Sequence, residues 1–204
     1  TSMENGYFYL SVKHPLPVLP NVRLEYANVK SSGQVDGELK LPPLGTITAV
    51  EGENSYLGLT QIDTILFYNL LDKTFWGSVD LGLDLKYVAS EYTVDSLYVD
   101  ERSDSITPLL YLRGRVDVPF APIGLETDIK YITDGASTVY DVRVKVDYTF
   151  KLTPVMRPGV ELGYRVQRFK VDGEKSSIIG TVLSEESDTD VTFAGVYGGV
   201  TVKF

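Results

Sequence analysis

From Tyr140 to Phe150 apolar and polar residues alternate without a break. Tyr140, Val142, Val144, Val146, Tyr148 and Phe150 fall on one face, Asp141, Arg143, Lys145, Asp147 and Thr149 on the other. A period of two is that of a β-strand. The charges of both signs constrain the chain further: the Val ladder needs a second sheet or lipid against it, while the opposite face must be solvated or ion-paired.

The pattern recurs along the chain. Val79, Leu81, Leu83, Leu85 and Tyr87 oppose Asp80, Gly82, Asp84 and Lys86, and Leu110, Leu112, Val116 and Val118 oppose Tyr111, Arg113, Arg115 and Asp117. Ile123, Leu125, Ile129 and Tyr131 oppose Gly124, Glu126, Asp128 and Lys130; Val160, Leu162, Tyr164 and Val166 oppose Glu161, Gly163, Arg165 and Gln167. The last segment sets Ala194, Val196, Gly198, Val200, Val202 and Phe204 against Gly195, Tyr197, Gly199, Thr201 and Lys203. No segment sustains a helical period, so the expectation is an all-β chain forming one domain over 1–204. Strands are expected at 6–13, 20–32, 55–70, 76–89, 106–119, 123–133, 138–150, 159–170 and 191–204.

The joints differ in kind. Compact or Pro-containing turns are read at His14–Pro20, Leu71–Phe75, Phe120–Pro122 and Lys151–Pro158. Long acidic loops are read at 33–54, 90–105 and 171–190, carrying −3, −4 and −5, which sum to −12 against −9 for the whole chain. The remainder is therefore about +3 by subtraction. Only Asp134–Ser137 is short where the alternation asks for a long loop. Short turns on one rim and long loops on the other are the layout of a transmembrane up-and-down antiparallel barrel of the bacterial outer membrane. With Phe204 on the short-turn rim, nine counted strands imply a tenth, upstream of Thr1; eight strands is the alternative count. Acidity in the loops argues against nucleic acid as a partner.

The polar faces, turned inward, collect ten acids: Glu25, Asp63, Asp80, Asp84, Asp117, Glu126, Asp128, Asp141, Asp147 and Glu161. They also collect eight bases: Arg23, Lys86, Arg113, Arg115, Lys130, Arg143, Lys145 and Arg165. A lumen so nearly neutral can be filled by its own ion pairs. The reverse orientation would place Lys and Arg in lipid at about 2–4 kcal/mol each near the midplane. Tyr87, Tyr131, Tyr140, Tyr148, Phe150 and Tyr164 sit toward ladder ends, where aromatic girdles belong.

The stretch from Asn5 through Tyr7-Phe8-Tyr9-Leu10 and His14-Pro15-Leu16-Pro17 to Leu24, with the ending Val196-Tyr-Gly-Gly-Val-Thr-Val-Lys-Phe204, resembles a proteobacterial outer-membrane β-barrel family with Gly-Gly in its last strand (OMP_w_GlyGly). Thr64-Ile-Leu-Phe-Tyr68, Val79-Asp-Leu-Gly-Leu83, Pro108-Leu-Leu-Tyr111 and Gly163-Tyr-Arg165 extend the likeness over most of the chain. The resemblance implies a Gram-negative outer-membrane location, one more N-terminal strand, and Phe204 as the signal read by the barrel-assembly machinery. It implies no activity. Gly198 and Gly199 are read as a packing device, allowing a bend or leaving room for a bulky neighbour such as Tyr197.

Chemistry is sparse. Cysteine is absent and His14, in a Pro-rich turn, is the sole histidine. No phosphate loop or metal-spaced cluster is found, so neither enzyme activity nor a cofactor or metal site is expected. The acidic sets Asp100, Glu101 and Asp104, or Glu185, Glu186, Asp188 and Asp190, match no calcium-loop pattern and are read as solvated loops. The expected protein is a small, monomeric, porin-like barrel with a largely plugged lumen, among outer-membrane lipids and lipopolysaccharide, with a structural or surface-interaction role. The alternatives are a narrow channel or transporter for ions, small solutes or apolar compounds, and a soluble ligand-binding β-barrel.

Overall fold

The structure, a computed structural model, describes residues 2–14, 16, 18–35, 38–40, 46–48, 53–74, 76–94, 99–150, 156–171 and 189–203. Within them lie β1 (Ser2–Val12), β2 (Asn21–Val35), β3 (Glu38–Lys40), β4 (Thr46–Thr48), β5 (Glu53–Thr74) and β6 (Gly77–Val94). They continue as β7 (Val99–Asp117), β8 (Ile123–Thr133), β9 (Thr138–Thr149), β10 (Arg157–Val171) and β11 (Thr189–Lys203). Nine of them form one antiparallel sheet in the order β1-β2-β5-β6-β7-β8-β9-β10-β11, and β3 pairs separately with β4. There is no helix among the described residues.

All nine expected strands are present, each paired with the next, but they run further than the apolar ladders. β6 and β7 stay in register to the pair Val94↔Val99, and β2 and β5 to Val35↔Glu53. Much of 33–54 and 90–105 is therefore strand rather than loop. The cause is physical: acidity marks where the surroundings become polar, while pairing of backbone amides can continue past that boundary. Of the third long loop, residues 172–188 lie outside the described residues.

The compact turns are held by named contacts. His14 Nε2 lies 3.0 Å from the Pro20 carbonyl, the Leu16 amide donates to Nδ1 at 3.2 Å, and the His14 amide donates to Asn21 Oδ1 at 3.1 Å. The neutral tautomer protonated on Nε2 satisfies all of these, so the only histidine is a turn clamp. Between β7 and β8, Val118 N donates to the Ile123 carbonyl at 2.9 Å, with Phe120 left-handed at φ 66° and fully exposed. Trp76, in the β5–β6 turn, is also left-handed at φ 71°. Asp134 Oδ1 accepts the amides of Ala136 and Ser137, closing the β8–β9 turn.

The sheet curls until side chains from distant strands meet. Lys130 of β8 donates to Glu25 of β2 at 2.8 Å, and Gln61 of β5 donates to Gln167 of β10 at 3.0 Å. The result is a half-barrel, left open along a seam between β1 and β11, which share no ladder. The Tyr7 and Tyr197 rings approach across the inside of that seam, 6.0 Å between centroids.

Burial runs opposite to the usual sense. Only seven hydrophobic residues are buried among those described, against twenty polar or charged ones, while large hydrophobics including Leu83, Leu110, Leu162 and Val200 stand exposed on the outer face.

Candidate functional site: the charged interior

The alternation carries the interior. Along β9 the even positions Val144, Val146 and Tyr148 face out, while Asp141, Arg143, Lys145 and Asp147 are buried. The neighbouring strands repeat this, and cross-strand registry sets opposite charges side by side: Asp128↔Arg143, Glu126↔Lys145 and Lys130↔Asp141 on β8 and β9, and Arg113↔Asp128 on β7 and β8.

On the side of β5, β6 and β8 the contacts are closed. Lys86 donates to both Asp63 oxygens at 2.9 and 2.8 Å and to Asp141 at 3.0 Å. Lys130 donates to Glu25 and Asp63 and lies 3.5 Å from Asp84. Each ammonium thus sits in a shell of carboxylates, the condition under which a buried charge is tolerated. Arg143 bridges β8 and β2, donating to Asp128 at 2.6 Å and Glu25 at 2.8 Å, and also reaches the Tyr7 hydroxyl. Arg165 holds Asp141 with two donors at 2.9 and 2.5 Å.

A second centre forms at Glu126, on which four cations converge. Arg113 lies at 2.6 Å, Arg115 and Lys145 at 3.2 Å, and Arg23 at 3.6 Å. Arg113 also pairs with Asp80, Arg115 with Asp147 at 2.5 Å, and Lys145 with Glu161 at 3.0 Å. The guanidinium of Arg23 and the ammonium of Lys145 both lie 4.6 Å from the Tyr9 ring centroid, and that of Arg143 lies 4.9 Å from the Tyr7 ring. These cation–π placements fix the cations in orientation as well as charge.

The eighteen residues expected in the lumen are therefore brought together, with one correction. Asp117 has a side chain 56 % exposed and sits at the rim, where Arg115 holds it at 2.7 Å. It is the last residue of β7, so the alternation that turns it inward also places it beyond the enclosed part. The Gly pair needs correction too. The room for Tyr197 is made by Gly163 on β10: a Cβ there would lie 2.5 Å from the Tyr197 ring, whereas at Gly199 it would meet Glu161 at 3.2 Å. Phe204 lies outside the described residues, as do Glu185, Glu186 and Asp188. Among the described residues no set of three His, Cys, Asp or Glu side chains could hold a metal ion.

Of the uncharged part of the interior, sequence reasoning placed Tyr111 and Gln167 on the inward faces but missed their partners. Ile65, Phe67 and Tyr111 form a small buried apolar cluster, and Gln61 pairs with Gln167. Ile65 and Phe67 follow Asp63 at steps of two, so parity points them inward; the apolar residues on both faces of β5 mask it. Lys203 joins the network by donating to Asp147 at 2.7 Å.

Beside the seam the interior is not filled. A cavity of about 1410 Å³ runs along β1 and β11, lined on its inner wall by Arg23, Arg113, Arg143, Lys145 and Glu161. The closed shell around Lys86 and Lys130 does not line it. No family model, curated protein or solved structure matches this chain.

Proposed function

We propose that this protein is a small outer-membrane β-barrel whose charged interior is held together by its own ion pairs, with a structural or surface-interaction role. The observation that carries the reading is the inverted burial: among the described residues, twenty buried polar or charged residues against seven buried hydrophobics, beneath an outer face of exposed Leu, Val, Ile and aromatic side chains. In water that outer face would be an aggregation surface; in a bilayer it is the contact surface, and the charged alternative would cost about 2–4 kcal/mol per Lys or Arg near the midplane. Trp76 and Phe120, exposed at the compact turns, suit the level of the headgroups. The resemblance to outer-membrane barrels with Gly-Gly in the last strand agrees with this, and implies lipids, lipopolysaccharide and the assembly machinery as partners.

Barrel closure follows from strand direction. Nine strands, each antiparallel to the next, leave β1 and β11 running the same way. One strand running opposite to both would close the seam with ladders like those already present, giving ten. The soluble-barrel reading lacks an apolar core to support it.

Refolding into phosphatidylcholine vesicles tests the reading. Expected are a β-rich, protease-resistant form that floats with the vesicles and migrates differently on gels before and after boiling. A monodisperse folded protein in buffer without detergent would sink it. Transport is a second reading, favoured by the cavity beside the seam; a steady conductance in planar bilayers, altered by Arg113→Gln or Arg115→Gln, is its outcome.

A further inference from the structure

Two turns on the compact rim hold aromatic residues where turn geometry favours glycine. Trp76 (φ 71°) and Phe120 (φ 66°) are the only non-glycine residues in the left-handed region among those described. The turn Val118–Ala121 is closed by the Ala121 amide, which donates to the Val118 carbonyl at 3.2 Å, with Pro119 second and Phe120 third. That is the pattern of a type II turn, whose third position belongs by preference to Gly or Asn. Trp76 is the second of the two residues that join Thr74 to Gly77, a slot that Gly fills in tight hairpins. On the opposite rim the preference is met: the left-handed residue of the β8–β9 turn is Gly135, at φ 90°.

A bulky residue held left-handed is strained, and strain of this kind gathers at sites of function. Packing does not account for it, since Trp76 is 61 % exposed and Phe120 fully so. The two turns are neighbours: Asp117 N donates to the Trp76 carbonyl at 2.8 Å, and Gly77 pairs with Val116. They end the outward apolar ladders of β6 and β7, and Val116 and Val118, both exposed, lead directly into Phe120. Pro119 and Pro122 remove two backbone donors beside it. On the same rim, the Tyr68 hydroxyl donates to the Val18 carbonyl at 3.0 Å, tying the β1–β2 turn, with exposed Leu16, Val18 and Leu19, to the outer face of β5. Asp117, half-exposed and held by Arg115 at 2.7 Å, lies between the two aromatic turns, so they stand where charged and apolar surfaces meet.

We infer that Trp76 and Phe120 are interfacial anchors that dock the compact-turn rim onto a phospholipid leaflet at the boundary between headgroups and acyl chains. Aromatic rings favour that boundary. Lipid is the occupant because the two rings continue the exposed apolar ladders without a break, on turns whose prolines leave few donors to be satisfied. The anchors rest on the barrel reading and deepen it, naming what the rim touches and why two of its turns forgo glycine.

Trp76 is the only tryptophan, so its fluorescence reports the site without a label. The full chain is refolded into phosphatidylcholine vesicles brominated near the carbonyl end or near the methyl end of the acyl chains, with acrylamide as the aqueous quencher. Expected is stronger quenching by the shallow bromines than by the deep ones, and little by acrylamide. Phe120→Trp in a Trp76→Phe background should behave alike. Joint Trp76→Gly and Phe120→Gly replacement relieves both turns, so on backbone grounds alone insertion into vesicles would be unchanged or faster. Loss of the anchors should instead slow it severalfold. Failure of the unsubstituted protein to float with vesicles overturns the barrel reading and the anchors with it. Flotation with Trp76 open to acrylamide and untouched by bromine overturns the anchors alone. So does protection from both quenchers, which would place a second copy over the rim, or an unchanged or faster insertion of the joint replacement.

Discussion

Lys130 reaches from β8 to carboxylates on three other strands, Glu25, Asp63 and Asp84, and is almost wholly enclosed. Removing one partner of such a cluster leaves the others charged and unpaired. Lys130→Met should therefore destabilise the fold by about 3–5 kcal/mol, read as a lower urea midpoint for unfolding from vesicles. The glycines give a sharper contrast. Gly163→Ala drives a Cβ into the Tyr197 ring and should cost about 1–3 kcal/mol. Gly114→Ala meets nothing within 4 Å and should leave the midpoint unchanged within error. At this scale the sequence makes direction legible and partnership illegible. Parity tells that Lys130 points inward with Asp63; that they touch depends on how far the sheet curls, which no local pattern encodes.

Strands were the most legible level, because alternation is a local property of each. Their ends were not, since an acidic residue such as Glu91 fits a paired strand once the surroundings are polar. The outward ladders make a directional test. Leu83→Arg, mid-strand on β6, should cost about 2–4 kcal/mol in a bilayer, whereas Phe120→Arg at the turn should cost about 0–1. Equal penalties would argue against a lipid-facing belt. At the far end of β10 and β11, Arg168 donates to both Asp190 oxygens at 2.8 and 2.7 Å on the outer surface. The pair holds the Asp190 carboxyl below the usual aspartate range. Its contribution is thus present above the ordinary value and lost as pH falls through the lowered one. A carbonyl-carbon NMR titration of Asp190 should move upward in Arg168→Gln.

For the whole molecule, nine strands could be counted from sequence, and the shared direction of the two edges followed from the odd count. Whether a strand lies in the seam can be read directly, because the chain has no native cysteine to interfere. Cysteine pairs combining outward positions Phe8, Leu10 or Val12 of β1 with Val196, Val200 or Val202 of β11 should fail to cross-link in the folded full chain. Adjacent strands lie about 4.8 Å apart and an interposed strand doubles that distance, beyond the reach of a disulfide. Efficient cross-linking at any pair would show β1 against β11 and reject the tenth strand.

The shared direction of β1 and β11 has a consequence for crowding. On the outer-membrane reading, molecules inserted by one machinery stand the same way up, so the free edge of one copy can meet a neighbour's edge only in parallel. Every ladder of the main sheet is antiparallel, and a parallel pair would be slightly less stable per residue. An exposed edge is ordinarily a template for runaway polymerisation. On the outer-membrane reading, the bilayer thus leaves two such edges only the weaker parallel pairing, while a strand of the opposite sense completes the seam with the antiparallel pairing already present.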